Sequence, residues 1–188
     1  MSFGWTCISI NDEAAHGSRP RVVQPRDLVN IDVSAELDGF WADMGASFCV
    51  PPVEPRRGRL VEAARRAQAA GAAQLRAGRP MNLVGKAVEA EARQAGFKVI
   101  RDLGSHGVGR HIHEEPHFIP GFFDPNEQRR FEEGMVVTVE PFLSTRTLHT
   151  RTADDGWTIR TTDGSLTAQF EHTYVVTRGA PIAITVLD

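Results

Sequence analysis

A chain of 188 residues with 41% hydrophobic and 24% charged residues is long enough to bury one real core, and ordinary for a globular protein. The formal net charge of −3 gives no general pull towards nucleic acid or an anionic membrane, and no stretch has the length and apolarity of a membrane-spanning helix. Two cysteines, Cys7 and Cys49, make neither a disulfide framework nor a thiolate zinc pattern, which suits a reducing compartment.

Thr6–Ile10 reads as a short strand, and Asn11–Pro20 as a turn-rich loop that carries His16 before Gly17. Leu28–Phe48 reads as a hairpin, because Asp38-Gly39 between apolar alternations suits a two-residue turn with positive φ at both positions. That turn sets Leu37 opposite Phe40 and Ser34 opposite Asp43. Ile31, Val33, Ala35, Leu37, Phe40, Ala42, Met44 and Phe48 then share one face, and Asp32 and Asp43 the other. The two carboxylates sit diagonally across the ladder, within reach of one small cation. From this hairpin alone, a metal site and a polar face with two unrelated aspartates are equal alternatives.

Pro51, Pro52 and Pro55 close the hairpin. Arg56–Ala77 reads as a first helix, with Leu60, Ala63, Ala64, Ala67 and Leu75 as its apolar stripe and Gly78 and Pro80 as its stop. Asn82–Ala95 reads as a second, and Phe97–Ile100 as a brief strand. Gly104–Pro116 is dense in glycine and histidine, and Phe118–Arg130 is a loop with Phe122-Phe123 at its tip. Met135–Leu143 reads as a strand that places Glu140 among Val and Thr. Trp157–Thr161 and Leu166–Thr177 read as a second hairpin about Asp163-Gly164, with Glu171 in an apolar run. Of the other histidines, His111, His117 and His149 read as loop residues, and His172 as core packing.

Asp32, Asp43, Glu140 and Glu171 thus stand on strands that favour burial, where an unpaired carboxylate is costly. With one imidazole from Ser105–His113 they form a mixed hard and borderline donor set. Such a set suits Mn, Fe, Co or Zn better than copper, and bridging carboxylates suit two divalent ions.

The segments CISINDEAAHG, NIDV with WAD, HGVGRHIHEEP, TVEPFL and AQFEHTYVVT, in that order from Cys7 to Thr177, resemble the methionine aminopeptidases of bacterial type. The resemblance implies an α+β pita-bread fold, a curved antiparallel sheet backed by helices, as one catalytic domain over residues 1–188. It implies two divalent metal ions held by Asp32, Asp43, His106, Glu140 and Glu171, with Asp43 and Glu171 bridging. His16 and His113 match two catalytic histidines that contact the scissile amide and its tetrahedral intermediate. Glu140 matches the group that takes a proton from the attacking water. Cys7, His16, Ile112, His113, Phe142 and Trp157 match residues that bind the substrate. The implied substrate is a peptide or nascent polypeptide with N-terminal methionine, met in the cytoplasm at the ribosome by an enzyme that is monomeric when complete and needs no nucleic acid or membrane.

Two features depart from the family. Ile112 stands where an aromatic is common. The family's first helix pair has no counterpart before Cys7, so the fold is expected to be N-terminally incomplete, with one sheet face lacking its cover. The alternatives are a proline-directed aminopeptidase or dipeptidase of the same fold, and a non-catalytic binding protein that kept the fold.

Overall fold

The structure is a computed structural model that describes residues 3–17 and 21–186. Its organising element is the long hairpin of β3 (Leu28–Leu37) and β4 (Phe40–Cys49). Asp38 and Gly39 both take positive φ, 54° and 82°, which matches the twist of the flanking strands. The register is the expected one: Leu37 opposite Phe40, Ser34 opposite Asp43, Asp32 opposite Gly45. β1 (Phe3–Ile10) pairs along β3 with Cys7 opposite Asp32, so the first strand begins earlier than Thr6.

Two helices follow. α1 (Pro55–Ala72) begins on a proline whose missing N–H costs nothing there, and buries Leu60, Ala63, Ala64, Ala67 and Gly71 at helical spacing. It stops five residues before Ala77. The chain tightens instead, with Gln74 N–H bonded to the Gly71 carbonyl and Leu75 N–H to that of Ala72. Leu75 stays buried in this turn, so the apolar stripe outruns the helix. α2 (Asn82–Gln94) crosses α1 closely: a Cβ at Gly71 would stand 3.0 Å from a Val88 methyl. Among the described residues these are the two helices, and neither is long and apolar enough to cross a membrane.

The remaining strands are short: β2 (Glu13–Ala15), β5 (Lys98–Val99), β6 (Gly104–Gly107), β7 (Glu114–Pro120), β8 (Val136–Val139), β9 (Phe142–Ser144), β10 (Thr150–Thr152), β11 (Ile159–Thr161), β12 (Thr167–Gln169), β13 (His172–Val175) and β14 (Ile182–Ala183). All pairings are antiparallel, in sheets ordered β1-β3-β4, β10-β11-β2, β12-β9-β5 and β14-β13-β8-β6-β7.

Four expectations need correction here. The run Met135–Leu143 is two strands in different sheets, β8 and β9, broken at Glu140-Pro141. Leu166–Thr177 is likewise split into β12 and β13, broken at Phe170-Glu171. The second hairpin does not form. β11 pairs with β10 and β2, while β12, beyond Asp163-Gly164, crosses to β9. Pro141 has no N–H to continue a ladder, which accounts for the first break. The turn-rich Asn11–Pro20 segment also contributes a strand, β2.

α1 packs on β4, β8, β9 and β12 and α2 on β5 and β7, and the main core lies between helices and sheets: Leu60, Ala64, Ala67, Val84, Val88, Val137, Val139, Leu143 and Tyr174. The outer face of β1, β3 and β4 has no such roof. Leu37 is 66% exposed, Phe40 56%, Ile8 46% and Phe48 43%.

Candidate metal centre

β4 is stitched along its outer edge to the rest of the molecule. Trp41 N–H donates to the Gly109 carbonyl at 2.7 Å, and Asp43 N–H to Thr173 Oγ1 at 2.9 Å. Gly45 and Glu171 exchange backbone hydrogen bonds at 3.2 and 2.8 Å, and Ser47 Oγ donates to the Gln169 carbonyl at 2.8 Å. This seam carries Asp43 and, across the ladder, Asp32 up to the two strand breaks. A break frees a side chain from strict alternation and aims it inward. Glu140 and Glu171, expected inside strands, sit instead at these breaks, 7% and 1% exposed. The backbone comes close at Gly45: a Cβ there would fall 2.3 Å from the buried Gln169 amide, so a larger residue would have to displace that side chain.

The ligating atoms of Asp43, His106 and Glu171 lie within 4.8 Å of one another, and all three residues are buried. His106 Nε2 is 3.1 Å from Glu140 Oε1, and its ring stacks at a tilt on His113, centroids 4.3 Å apart. Burial, then the Asp43 and Glu140 carboxylates, push the Asp32 carboxyl up to about 8. Burial also raises Asp43 and Glu140, the latter against the opposing His106 imidazole. Glu171 is held well above the usual range by burial and then by the other three carboxylates. Burial works against a charged His106, yet Glu140 and its other partners lift it overall. Burial lowers His113 and His16, with His106 adding to the effect on His113.

Four carboxylates that suppress each other's ionisation are a poor arrangement for water alone and a good one for divalent cations. Glu171 Oε1 is buried with no hydrogen-bond partner, an orphaned acceptor on a residue of the cluster. The donor set therefore fits divalent metal, four carboxylates with one imidazole and no thiolate.

The cluster opens into a cavity of about 1080 Å³. Cys7, His16, Ile112, His113, Phe142 and Trp157 all line it, with Asp32, Asp43, His106 and Glu140 at its floor. His16 takes a positive φ of 57° and stacks on Trp157, centroids 4.7 Å apart.

The profile of metallopeptidase family M24 matches residues 1–178. The chain belongs to this family. It is 46% identical over 186 residues to methionine aminopeptidase 2 of Bacillus subtilis, covering 98% of this chain and 75% of that one. It is 41% identical to a methionine aminopeptidase of Staphylococcus epidermidis, covering 98% and 74%. Among solved structures, methionine aminopeptidase from Thermotoga maritima superposes with a TM-score of 0.92 at 32% identity, covering 97% and 74%. Prolidase from Pyrococcus furiosus superposes with a TM-score of 0.75 at 19% identity, over 97% of this chain and 49% of that one, a likeness of fold. The pita-bread fold and a metal-dependent hydrolase activity, both implied by the sequence motifs, follow from M24 membership.

The residues matched to a metal, catalytic or substrate-binding role all line this cavity or, for Glu171, belong to the buried cluster beside it. Sequence reasoning set Ser34 opposite Asp43 but missed the groups that hold Glu140 and Glu171. Ser34 Oγ donates to Asp43 Oδ1 at 3.1 Å, Thr138 Oγ1 to Glu140 Oε1 at 3.2 Å, and Gln169 Nε2 to Glu171 Oε2 at 2.8 Å. Thr138 and Gln169 each stand two residues before their carboxylate, a spacing visible in TVE and QFE once those carboxylates are suspected. His117 also lines the cavity. His149 lies outside it and pairs with Asp102, Nδ1 to Oδ1 at 3.1 Å. His172 is half-buried against Thr185 and Tyr174.

Proposed function

We propose that this chain, as one catalytic domain, removes the N-terminal methionine from peptides and nascent polypeptides by metal-dependent hydrolysis of the first peptide bond. The observation that supports it is the buried cluster of four carboxylates and His106, with its unpartnered Glu171 oxygen, at the floor of a cavity walled by Cys7, Ile112, Phe142 and Trp157. A deep site with apolar walls and a few convergent polar groups suits an unbranched, apolar first side chain.

Asp32, Asp43, His106, Glu140 and Glu171 would hold two divalent ions, with Asp43 and Glu171 shared between them. Bound there, the ions supply Lewis acidity and a water of lowered pKa. Glu140 takes the proton of the attacking water on its carboxylate. His113 stays neutral because its pKa is lowered, and it donates an N–H to the oxyanion that develops on the peptide carbonyl. His16, fixed by its stack on Trp157, contacts the scissile amide. The apolar walls seat the methionine side chain and exclude water from it. The reading carries with it a cytoplasmic location, action on chains leaving the ribosome and, for the whole enzyme, a monomer. The two unpaired cysteines support the first of these.

Hydrolysis of Met-Ala-Ser against dipeptides ending in proline, after loading with Mn, Co, Fe or Zn, tests the reading. Cleavage of Met-Ala-Ser alone is expected. Preference for proline dipeptides would transfer the chain to the proline-directed branch, and no cleavage with two ions bound would overturn the proposal.

A further inference from the structure

The loop between β6 and β7 carries His113, and it is held by few contacts. Val108 N–H donates to the Val136 carbonyl at the loop's start, and His111 N–H donates to Glu114 Oε1 at 2.8 Å near its end. Arg110, His111 and His113 are all exposed. Between those ends, the loop is anchored on the tip of the β3–β4 hairpin. The Gly109 carbonyl accepts from Trp41 N–H at 2.7 Å, and the Arg110 guanidinium lies over the Phe40 ring, 4.4 Å from its centroid. Phe40 and Trp41 are adjacent on β4, so one strand end grips two consecutive loop residues, Gly109 through the Trp41 backbone N–H at the strand edge and Arg110 through the Phe40 ring.

We infer that Phe40 and Arg110 are positioning residues: their cation–π stack, with the Trp41–Gly109 hydrogen bond, sets where His113 stands relative to His106. The inference rests on the catalytic role proposed for His113. Its physical basis is the placement of the contacts. The stack lies three residues before His113, on a segment with little burial of its own. A guanidinium over an aromatic face is attractive even at an exposed site, and more so when partly covered. A small misplacement of a catalytic group costs much of its effect. Neither side chain can be explained as core packing. Phe40 is 56% exposed and Arg110 is exposed, so removing either leaves no cavity.

The test uses Phe40→Ala, Arg110→Ala and, as a control, Leu37→Ala. Leu37 stands opposite Phe40 on the same face, and it is more exposed. Both anchor variants should lower kcat on Met-Ala-Ser roughly 10-fold with KM and metal content unchanged, by displacing a catalytic group. Leu37→Ala should match the parent, and Phe40→Tyr should recover most of the loss. In a His113→Ala background, Phe40→Ala should cause no further loss. Nitrogen-15 spectra of the metal-free protein supply a readout apart from turnover: the His113 ring signal should shift or broaden in both anchor variants and stay put in Leu37→Ala. Unchanged kcat and an unmoved His113 signal in both anchor variants would overturn the inference. So would an additional loss on top of His113→Ala, or a fall in bound metal. If His113→Ala itself keeps full kcat while the His113 ring signal still moves in Phe40→Ala and Arg110→Ala, the catalytic reading of His113 fails and the anchoring stands.

Discussion

The two halves of the molecule contribute to one site on unequal foundations. β8, β9, β12 and β13 deliver Glu140 and Glu171 from beneath α1 and α2, and the residues behind them, Leu60, Val88, Val139 and Leu143, have essentially no exposure. The β3–β4 hairpin delivers Asp32 and Asp43 from a sheet whose other face meets solvent through Ile8, Leu37, Phe40, Met44 and Phe48. Two ligands under a roof and two on an open sheet reach the same cluster, because the hairpin borrows its order from the seam along β4 rather than from a core of its own. An antiparallel sheet keeps its shape with one face wet when its ladder and its edge are both paired.

The largest test of this contrast is thermodynamic. Leu60→Ala should cost about 2–5 kcal/mol, since it leaves a cavity in a fully packed core. Leu37→Ala, on the open face, should cost less than about 0.5 kcal/mol. Urea melts of both variants measure the difference, and equal costs would mean that the open face is covered in solution.

Next in size is the division between holding metal and doing chemistry. His113→Ala should lower kcat by roughly 10²-fold, as loss of an oxyanion donor does, with two ions per chain retained. His106→Ala should instead lose metal. Elemental analysis beside kinetics separates the two. A parent protein that binds one ion without Asp43 and Glu171 would refute the shared centre.

Metal should also stabilise the fold, by about 2.7 kcal/mol at a free concentration of 100 Kd. The pH dependence follows from the raised carboxyls. In the metal-free fold Asp32 keeps its proton up to about 8, whereas in the unfolded chain it ionises near its ordinary value. The folded state then holds more protons across that interval. Its advantage is complete below the unfolded pKa and is lost as pH rises towards about 8. Asp43, Glu140, Glu171 and the raised His106 act in the same direction. Thermal melts of the metal-free protein should fall from about pH 5 to 8 by this linkage, and the gap to the loaded protein should widen. A rising or flat curve would contradict a protonated, metal-free cluster.

The smallest effect compares the two halves directly. Gln169→Met strips a hydrogen bond from the fully buried Glu171, and Ser34→Ala strips one from Asp43. Outer hydrogen bonds to ligands are worth about 10–100-fold in metal affinity, and the roofed side should lie nearer the upper end. Competition titration with a chelating dye measures both.

What the residues alone determined was local or chemical. Asp38-Gly39 can hardly do anything but turn, so the register of β3 and β4, the pairing of Ser34 with Asp43, and the diagonal of Asp32 and Asp43 were all legible. Carboxylates in apolar runs carry a cost that demands a partner, so Glu140 and Glu171 stood out before any fold was known. Alternation also marked out the apolar face of the hairpin, but that this face would lack a cover came only from the resemblance to the family. Tertiary structure decided where continuous strands end. MVVTVEPFL and LTAQFEHTYVVT keep their apolar character across the breaks, because both sides of each break are buried, only in different sheets, and periodicity does not record a change of partner. The same holds for Leu75, whose burial continues a helical stripe in a chain that has already left the helix. The seam of β4 with Gly109, Thr173, Glu171 and Gln169 joins residues far apart in sequence largely through backbone groups that every residue possesses, and the stack of Phe40 on Arg110 pairs two side chains that lie seventy residues apart. No side-chain pattern marks them, so only the packed molecule shows them.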